Sequence, residues 1–121
     1  MIGFDTCAII DFLKGNENLK EIASKQRPFV YFSDFSYLEL LKGTDNSTLI
    51  KELFVHGQSF ALSHEVLELA ADISKQQRKL GKDIPLPDCI IAASFLHHKI
   101  DTIVTKDKHF TQIPQIKAIS Y

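Results

Sequence analysis

Short apolar runs alternate with helix-forming segments along the chain, and this alternation constrains the fold more than any other feature. The runs are rich in β-branched or aromatic residues and lie at 2–4, 29–32, 59–62, 102–105 and 116–119. Between them, apolar residues recur at the spacing of a helix, and Ser, Asp or Gly residues stand at the helix ends. Strands that alternate with helices predict an α/β fold, with a parallel sheet covered by helices on both faces.

The length of 121 residues suits one domain, and 45% hydrophobic with 24% charged residues suits a chain with a real core. No apolar run approaches the roughly 20 residues that cross a bilayer. The first ten residues carry Asp5 and no basic segment, unlike a signal peptide. We therefore expect a cytosolic protein whose two cysteines, Cys7 and Cys89, are reduced and buried.

Four acidic residues stand near the ends of predicted strands or at the start of a helix. Asp5 follows the first strand, Glu39 lies in the helix after the second, Asp88 opens an apolar helix over 89–98, and Asp107 follows the fourth strand. Groups that bind ligands in parallel sheets lie beyond the carboxyl ends of the strands. The four carboxylates are therefore candidates to converge in one crevice.

Each of these acids also has an ordinary structural interpretation. Asp5 is placed to cap a helix, and Asp88 is a natural N-cap after a rigid, extended lead-in at 84–87. Glu39 completes a capping-box pattern with Ser36. The pattern of residues alone leaves the choice between cap and ligand open.

Carboxylates that lie within a few ångström repel one another, and a hard divalent cation removes that cost. Mg²⁺ or Mn²⁺ bound there can activate water and polarise a phosphodiester. The net charge of −1 does not by itself indicate a nucleic-acid binder. The cationic residues at 75, 78, 79 and 82 form either a solvated helix end or a patch that contacts phosphates.

Four short motifs carry a resemblance to a known family. They are Asp5-Thr6, Glu39-Leu-Leu-Lys-Gly43, Leu86-Pro-Asp88 followed by Ile91-Ala-Ala93, and Thr105-Lys-Asp107-Lys-His-Phe110. In this order and at these distances the chain resembles the PIN domain over almost its whole length. More narrowly, it resembles the VapC-like toxin ribonucleases of bacterial and archaeal toxin–antitoxin pairs.

The resemblance implies a three-layer α/β/α fold and a Mg²⁺- or Mn²⁺-dependent endoribonuclease. It also implies a cognate antitoxin that fills the active-site groove, and often a homodimer. Asp5, Glu39 and Asp88 match the three central acids of the family, and Asp107 matches the fourth, more variable one. These four are therefore the expected catalytic and metal-binding residues.

Two hydroxyl residues are expected to support the acids: Thr6, directly after the first, and Thr105, two residues before the last. RNA contacts are assigned to four cationic residues, Arg78, Lys79, Lys82 and Lys106. The chain departs from the family at Cys7, where Asn or Ser is common, and at the two prolines before Asp88.

Two other functions compete with a toxin ribonuclease. One is a catalytically silent PIN-fold module that acts through a partner, which the intact set of four acids disfavours. The other is a receiver-type signalling domain, which needs an acid pair after the first strand. Here Asp5 is followed by Thr6, and the next acid, Asp11, lies almost two helical turns further on.

Overall fold

The structure is a computed structural model that describes residues 1–25 and 30–121. The sequence predicts that a helix ends at Arg27-Pro28 and that the second strand starts at Phe29, and both positions lie outside the described residues. Within the described ranges, the helices are α1 (Thr6–Leu13), α2 (Glu17–Lys25), α3 (Asp34–Lys42), α4 (Thr48–His56), α5 (His64–Lys79) and α6 (Leu86–His97). The strands are β1 (Gly3–Phe4), β2 (Tyr31–Ser33), β3 (Gln58–Phe60), β4 (Thr102–Val104) and β5 (Lys117–Ile119), and a 3₁₀ helix spans Lys108–Gln112.

The strands form a parallel sheet in the order β3-β2-β1-β4-β5, which confirms the predicted fold class. The chain adds β2 and β3 on one side of β1, then crosses to the other side for β4 and β5. The direction of winding therefore reverses between β1 and β4, and the carboxyl ends of two such strands leave a crevice in open α/β sheets. A receiver-type sheet has the order 2-1-3-4-5, so this alternative is wrong.

Helices pack on both faces of the sheet, and each face has its own apolar cluster. One cluster joins α5 and α6 to the sheet, with Ile73, Phe95 and Ile103 fully buried. The other joins the helices of the opposite face and includes Leu19 and Val104. Ile103 and Val104 are neighbours in β4 and point to opposite faces, as the two-residue period of a strand requires.

Helix α6 runs through the first of these clusters and approaches β1 closely. A Cβ atom at Gly3 would lie 2.5 Å from the ring of Phe95, so β1 and α6 can pack at this distance only because residue 3 has no side chain. No described helix is long and apolar enough to cross a membrane.

Two local predictions were wrong. Helix α6 begins at Leu86, three residues before the predicted first residue, Cys89, so Asp88 lies in the first turn and is not the N-cap. A proline such as Pro87 is tolerated in a first turn because backbone N–H groups there have no helical acceptor. Cys89 is buried as expected, whereas Cys7 is only half-buried.

Candidate active site

An open cavity of about 350 Å³ lies at the carboxyl ends of β1 and β4. Its lining contains the four predicted acids and three residues close to them in the sequence: Asp5, Thr6, Cys7, Glu39, Asp88, Lys106 and Asp107. The acids come from the β1–α1 junction, from α3, from α6 and from the segment after β4. The fold therefore brings together acids that are up to 102 positions apart in the sequence.

Asp5 fixes the centre of the cavity. Its backbone N–H donates to the carbonyl of Val104 (3.1 Å), which anchors it to β4. Oδ1 accepts from the backbone of Thr6 (2.7 Å), so Asp5 caps α1 as predicted, while Oδ2 accepts from the hydroxyl of Thr105 (2.7 Å) and from the thiol of Cys7 (3.4 Å). Burial raises the pKa of the Asp5 carboxyl, although these hydrogen bonds oppose the shift.

Glu39 reaches the cavity from the second turn of α3. Its Oε1 accepts from the hydroxyl of Thr6 (2.7 Å), and Thr6 also shares a hydrogen bond with Ser36 (2.8 Å). The N-cap of α3 is Ser33, whose hydroxyl accepts from the backbone of Phe35. The capping-box interpretation of Glu39 is therefore wrong, because Ser36 lies inside the helix.

Asp88, Asp107 and His109 place one ligand atom each within 4.8 Å of one another. The Nδ1 atom of His109 lies 3.1 Å from Oδ2 of Asp88 and 2.9 Å from Oδ1 of Asp107. Asp107 caps the 3₁₀ helix by accepting from the backbone of His109 (2.9 Å), and its own N–H donates to the hydroxyl of Thr105 (2.9 Å). Sequence reasoning missed His109, although its spacing, two residues after an acid in a loop, was a usable signal.

The carboxylates of this cavity are electrostatically unfavourable when no cation is near. Burial, a hydrogen bond to Asp107, and the negative charges of Asp107 and Asp5 raise the pKa of Asp88 to about 7, against the opposing charge of His109. A bound divalent cation would remove this penalty. The cavity offers carboxylate oxygens, some of them held by the hydroxyls of Thr6 and Thr105, and it is partly open to water. Carboxylate and water oxygens are the ligands that Mg²⁺ and Mn²⁺ prefer.

Lys106 brings a cation to the rim of the same cavity. Its Nζ lies 3.1 Å from Oδ2 of Asp11 and 4.9 Å from the ring centre of Tyr121, whose hydroxyl donates to the same Asp11 oxygen (2.6 Å). The backbone N–H of Lys106 also donates to the sulfur of Cys7 (3.5 Å). Sequence reasoning assigned Lys106 to RNA contacts but missed Asp11 and Tyr121, because their contacts join distant parts of the chain.

The other cationic residues predicted to contact RNA lie elsewhere. Lys75, Arg78 and Lys79 line a separate surface depression of about 330 Å³ on α5, and Lys82 is exposed beyond the end of that helix. None of these four lines the acidic cavity. The structure thus places one of the four predicted RNA-binding residues, Lys106, beside the acids.

The chain is similar to known proteins in sequence and in fold. The family model of the PIN domain matches residues 2–116. A DNA-bound VapBC structure from Salmonella typhimurium superposes with a TM-score of 0.87 at 17% identity, covering 98% of this chain and 96% of that one. VapBC-1 from nontypeable Haemophilus influenzae gives a TM-score of 0.84 at 23% identity, with 99% and 98% covered.

A third solved structure is VapC20 from Mycobacterium tuberculosis, described as a sarcin-ricin loop cleaving toxin. It gives a TM-score of 0.67 at 14% identity, covering 92% of this chain and 93% of that one. No curated protein sequence matches this chain significantly. The three solved structures are 23% identical or less, so they show only that the fold is shared. The PIN domain model matches most of the chain and therefore shows the family.

The raised pKa of Asp88 predicts how the stability of the metal-free protein depends on pH. The folded state holds the Asp88 proton up to about pH 7, whereas the unfolded state releases it near the ordinary value of 3.8. The contribution of this group to the free energy of unfolding is therefore fully present below pH 3.8 and is lost as the pH rises to about 7.

Urea unfolding in EDTA, at several pH values across this window, tests the prediction with wild type and Asp88→Asn. The stability of wild type relative to the variant should fall as the pH rises. Asp72→Asn, on the exposed face of α5, is the matched control and should track wild type. A wild-type curve parallel to that of Asp88→Asn would contradict the assignment.

Proposed function

The chain belongs to the PIN domain family, and from that premise we propose that it is a metal-dependent endoribonuclease, the toxin of a type II toxin–antitoxin pair. The observation that carries the proposal is the cavity at the junction of β1 and β4, which is lined by Asp5, Glu39, Asp88 and Asp107. The fold likeness to a structure described as an RNA-cleaving toxin agrees with this activity. A catalytically silent module would have no need for four acids in one cavity.

Each acid has a distinct part in the proposed site. Asp88 and Asp107 would hold a divalent ion, together with the Asp5 carboxylate that Thr105 orients. Glu39, which accepts from the hydroxyl of Thr6, would bind the ion directly or through water. When bound, Mg²⁺ or Mn²⁺ supplies Lewis-acid activation of water and of the phosphodiester.

The cations of the chain complete the substrate site. Lys106 lines the cavity, and its ammonium, which pairs with Asp11 in the structure, would exchange that partner for the phosphate that is cleaved. The depression formed by Lys75, Arg78 and Lys79 offers a second place for the RNA backbone. A net charge of −1 is compatible with this role because Lys75, Arg78 and Lys79 share a depression that is separate from the acidic cavity.

An apolar groove adjoining the acidic cavity supports the proposed antitoxin partner. This groove of about 390 Å³ lies between α1, α3 and α4, and its lining includes Ile10, Leu13, Leu40 and Ile50. Glu39 lines both cavities, so a peptide segment seated in the groove would reach the acids.

We also propose that the protein acts in the cytoplasm as a homodimer.

The metal dependence predicts the result of a direct cleavage assay. Wild type should cleave structured RNA in Mg²⁺, and EDTA should abolish cleavage. Asp5→Asn and Asp88→Asn should each lower the rate by about 100-fold or more, because each removes a charge that holds the ion. Asp72→Asn should retain full activity, and circular dichroism should show that all variants fold. Cleavage that persists in EDTA, or equal rates for all proteins, would contradict the proposal.

The groove predicts the effect of a charge on antitoxin binding. Ile10 is 38% exposed at the groove, and Ile10→Lys should weaken binding of the protein encoded beside this chain by about tenfold or more while RNA cleavage persists. Val55→Lys, at an exposed apolar position on α4 that is not part of the groove lining, is the control. Calorimetry that gives equal affinities for wild type and Ile10→Lys would contradict antitoxin binding in this groove.

The proposed homodimer is tested separately by light scattering. A measured mass equal to that of one chain would contradict it.

A further inference from the structure

His109 adds an imidazole nitrogen beside two carboxylates of the cavity lining. Its imidazole stands between two acids from different elements, Asp88 on α6 and Asp107 after β4. The side chain is 42% exposed, so the ring is accessible to solvent. Neither the family resemblance nor the four acidic motifs assigned a role to this residue.

The distances around the ring fit a shared metal ion. In an octahedral site with bonds of about 2.0–2.1 Å, neighbouring ligand atoms lie about 3.0 Å apart. The Nδ1 atom of His109 lies 2.9 Å from Oδ1 of Asp107 and 3.1 Å from Oδ2 of Asp88. These two distances match those between adjacent ligands, and all three residues offer ligand atoms within 4.8 Å of one another.

The backbone holds this arrangement in place. The N–H of His109 donates to Asp107 (2.9 Å), and the N–H of Asp107 donates to Thr105 (2.9 Å), whose hydroxyl in turn donates to Asp5 (2.7 Å). The position of the imidazole is thus linked to the buried aspartate at the end of β1. A surface histidine that met two acids by chance would not be tied to the site in this way.

We propose that His109 is a direct metal ligand through Nδ1 and that it makes the site prefer a transition-metal ion such as Mn²⁺ over Mg²⁺. The preference follows from ligand chemistry, because imidazole nitrogen binds transition metals well, whereas Mg²⁺ strongly prefers oxygen. The inference rests on the metal site of the proposed function. It does not require that the substrate is RNA.

Two measurements on the full chain test the inference without an activity assay. Pulsed electron paramagnetic resonance of the Mn²⁺-loaded protein should detect coupling to an imidazole nitrogen, and His109→Gln should abolish it. Calorimetric titration with Mn²⁺ and with Mg²⁺ should show that His109→Gln weakens Mn²⁺ binding about 10–100-fold and changes Mg²⁺ binding much less. His97→Gln, which alters an exposed histidine at the far end of α6, is the control and should behave as wild type.

The outcomes separate this inference from the proposed function. Mn²⁺ binding without nitrogen coupling, or an unchanged ratio of Mn²⁺ to Mg²⁺ affinity in His109→Gln, overturns the role of His109 even if the protein cleaves RNA. Nitrogen coupling that His109→Gln abolishes supports the role even if no RNA is cleaved, and in that case only the nuclease proposal fails. A wild-type protein that binds Mg²⁺ but not Mn²⁺ overturns this inference alone, and one that binds neither ion overturns both.

Discussion

The junction of β1 and β4 is the constraint on which the rest of the site depends. Asp5 is fastened to β4 by its own N–H and by the hydroxyl of Thr105, so one buried carboxylate joins the two central strands. Thr105 also accepts from the N–H of Asp107 and thereby sets the path of the segment that carries Lys106 and His109. Together with the pairing of β1 and β4 in the sheet, these bonds fix the separation of the acids at the carboxyl ends of the two strands.

Several residues of the cavity stabilise the fold and line the site at the same time. Asp5 caps α1 with one oxygen and faces Thr105 with the other, and Asp107 caps the 3₁₀ helix while it stands 2.9 Å from the ring of His109. The choice between cap and ligand is therefore not exclusive for these two acids. The arrangement still has an energetic cost, since burial raises the pKa of both Asp5 and Asp88. A bound cation would offset this cost and so couple metal binding to stability.

The sequence predicts the sheet and its covering helices well, because periodicity and turn residues are local signals. It also predicts which acids share a cavity, since Asp5 and Asp107 each follow a strand and the carboxyl ends of parallel strands lie at the same edge of the sheet. It misplaces the start of α6, because Leu86 and Pro87 are read more naturally as extended residues than as a first turn. The contact of Tyr121 with Asp11 spans 110 residues and leaves no local pattern, so only the folded chain reveals it.

The central claim is that the cavity between β1 and β4 is a divalent-cation site formed by its carboxylates. A crystal of the protein grown with Mn²⁺, with diffraction recorded near the manganese absorption edge, tests this most directly. An anomalous peak is expected within bonding distance of Asp88 and Asp107, on the side of the cavity that Asp5 faces. A well-ordered crystal at saturating Mn²⁺ with no peak in this cavity, or with peaks only elsewhere on the surface, would contradict it.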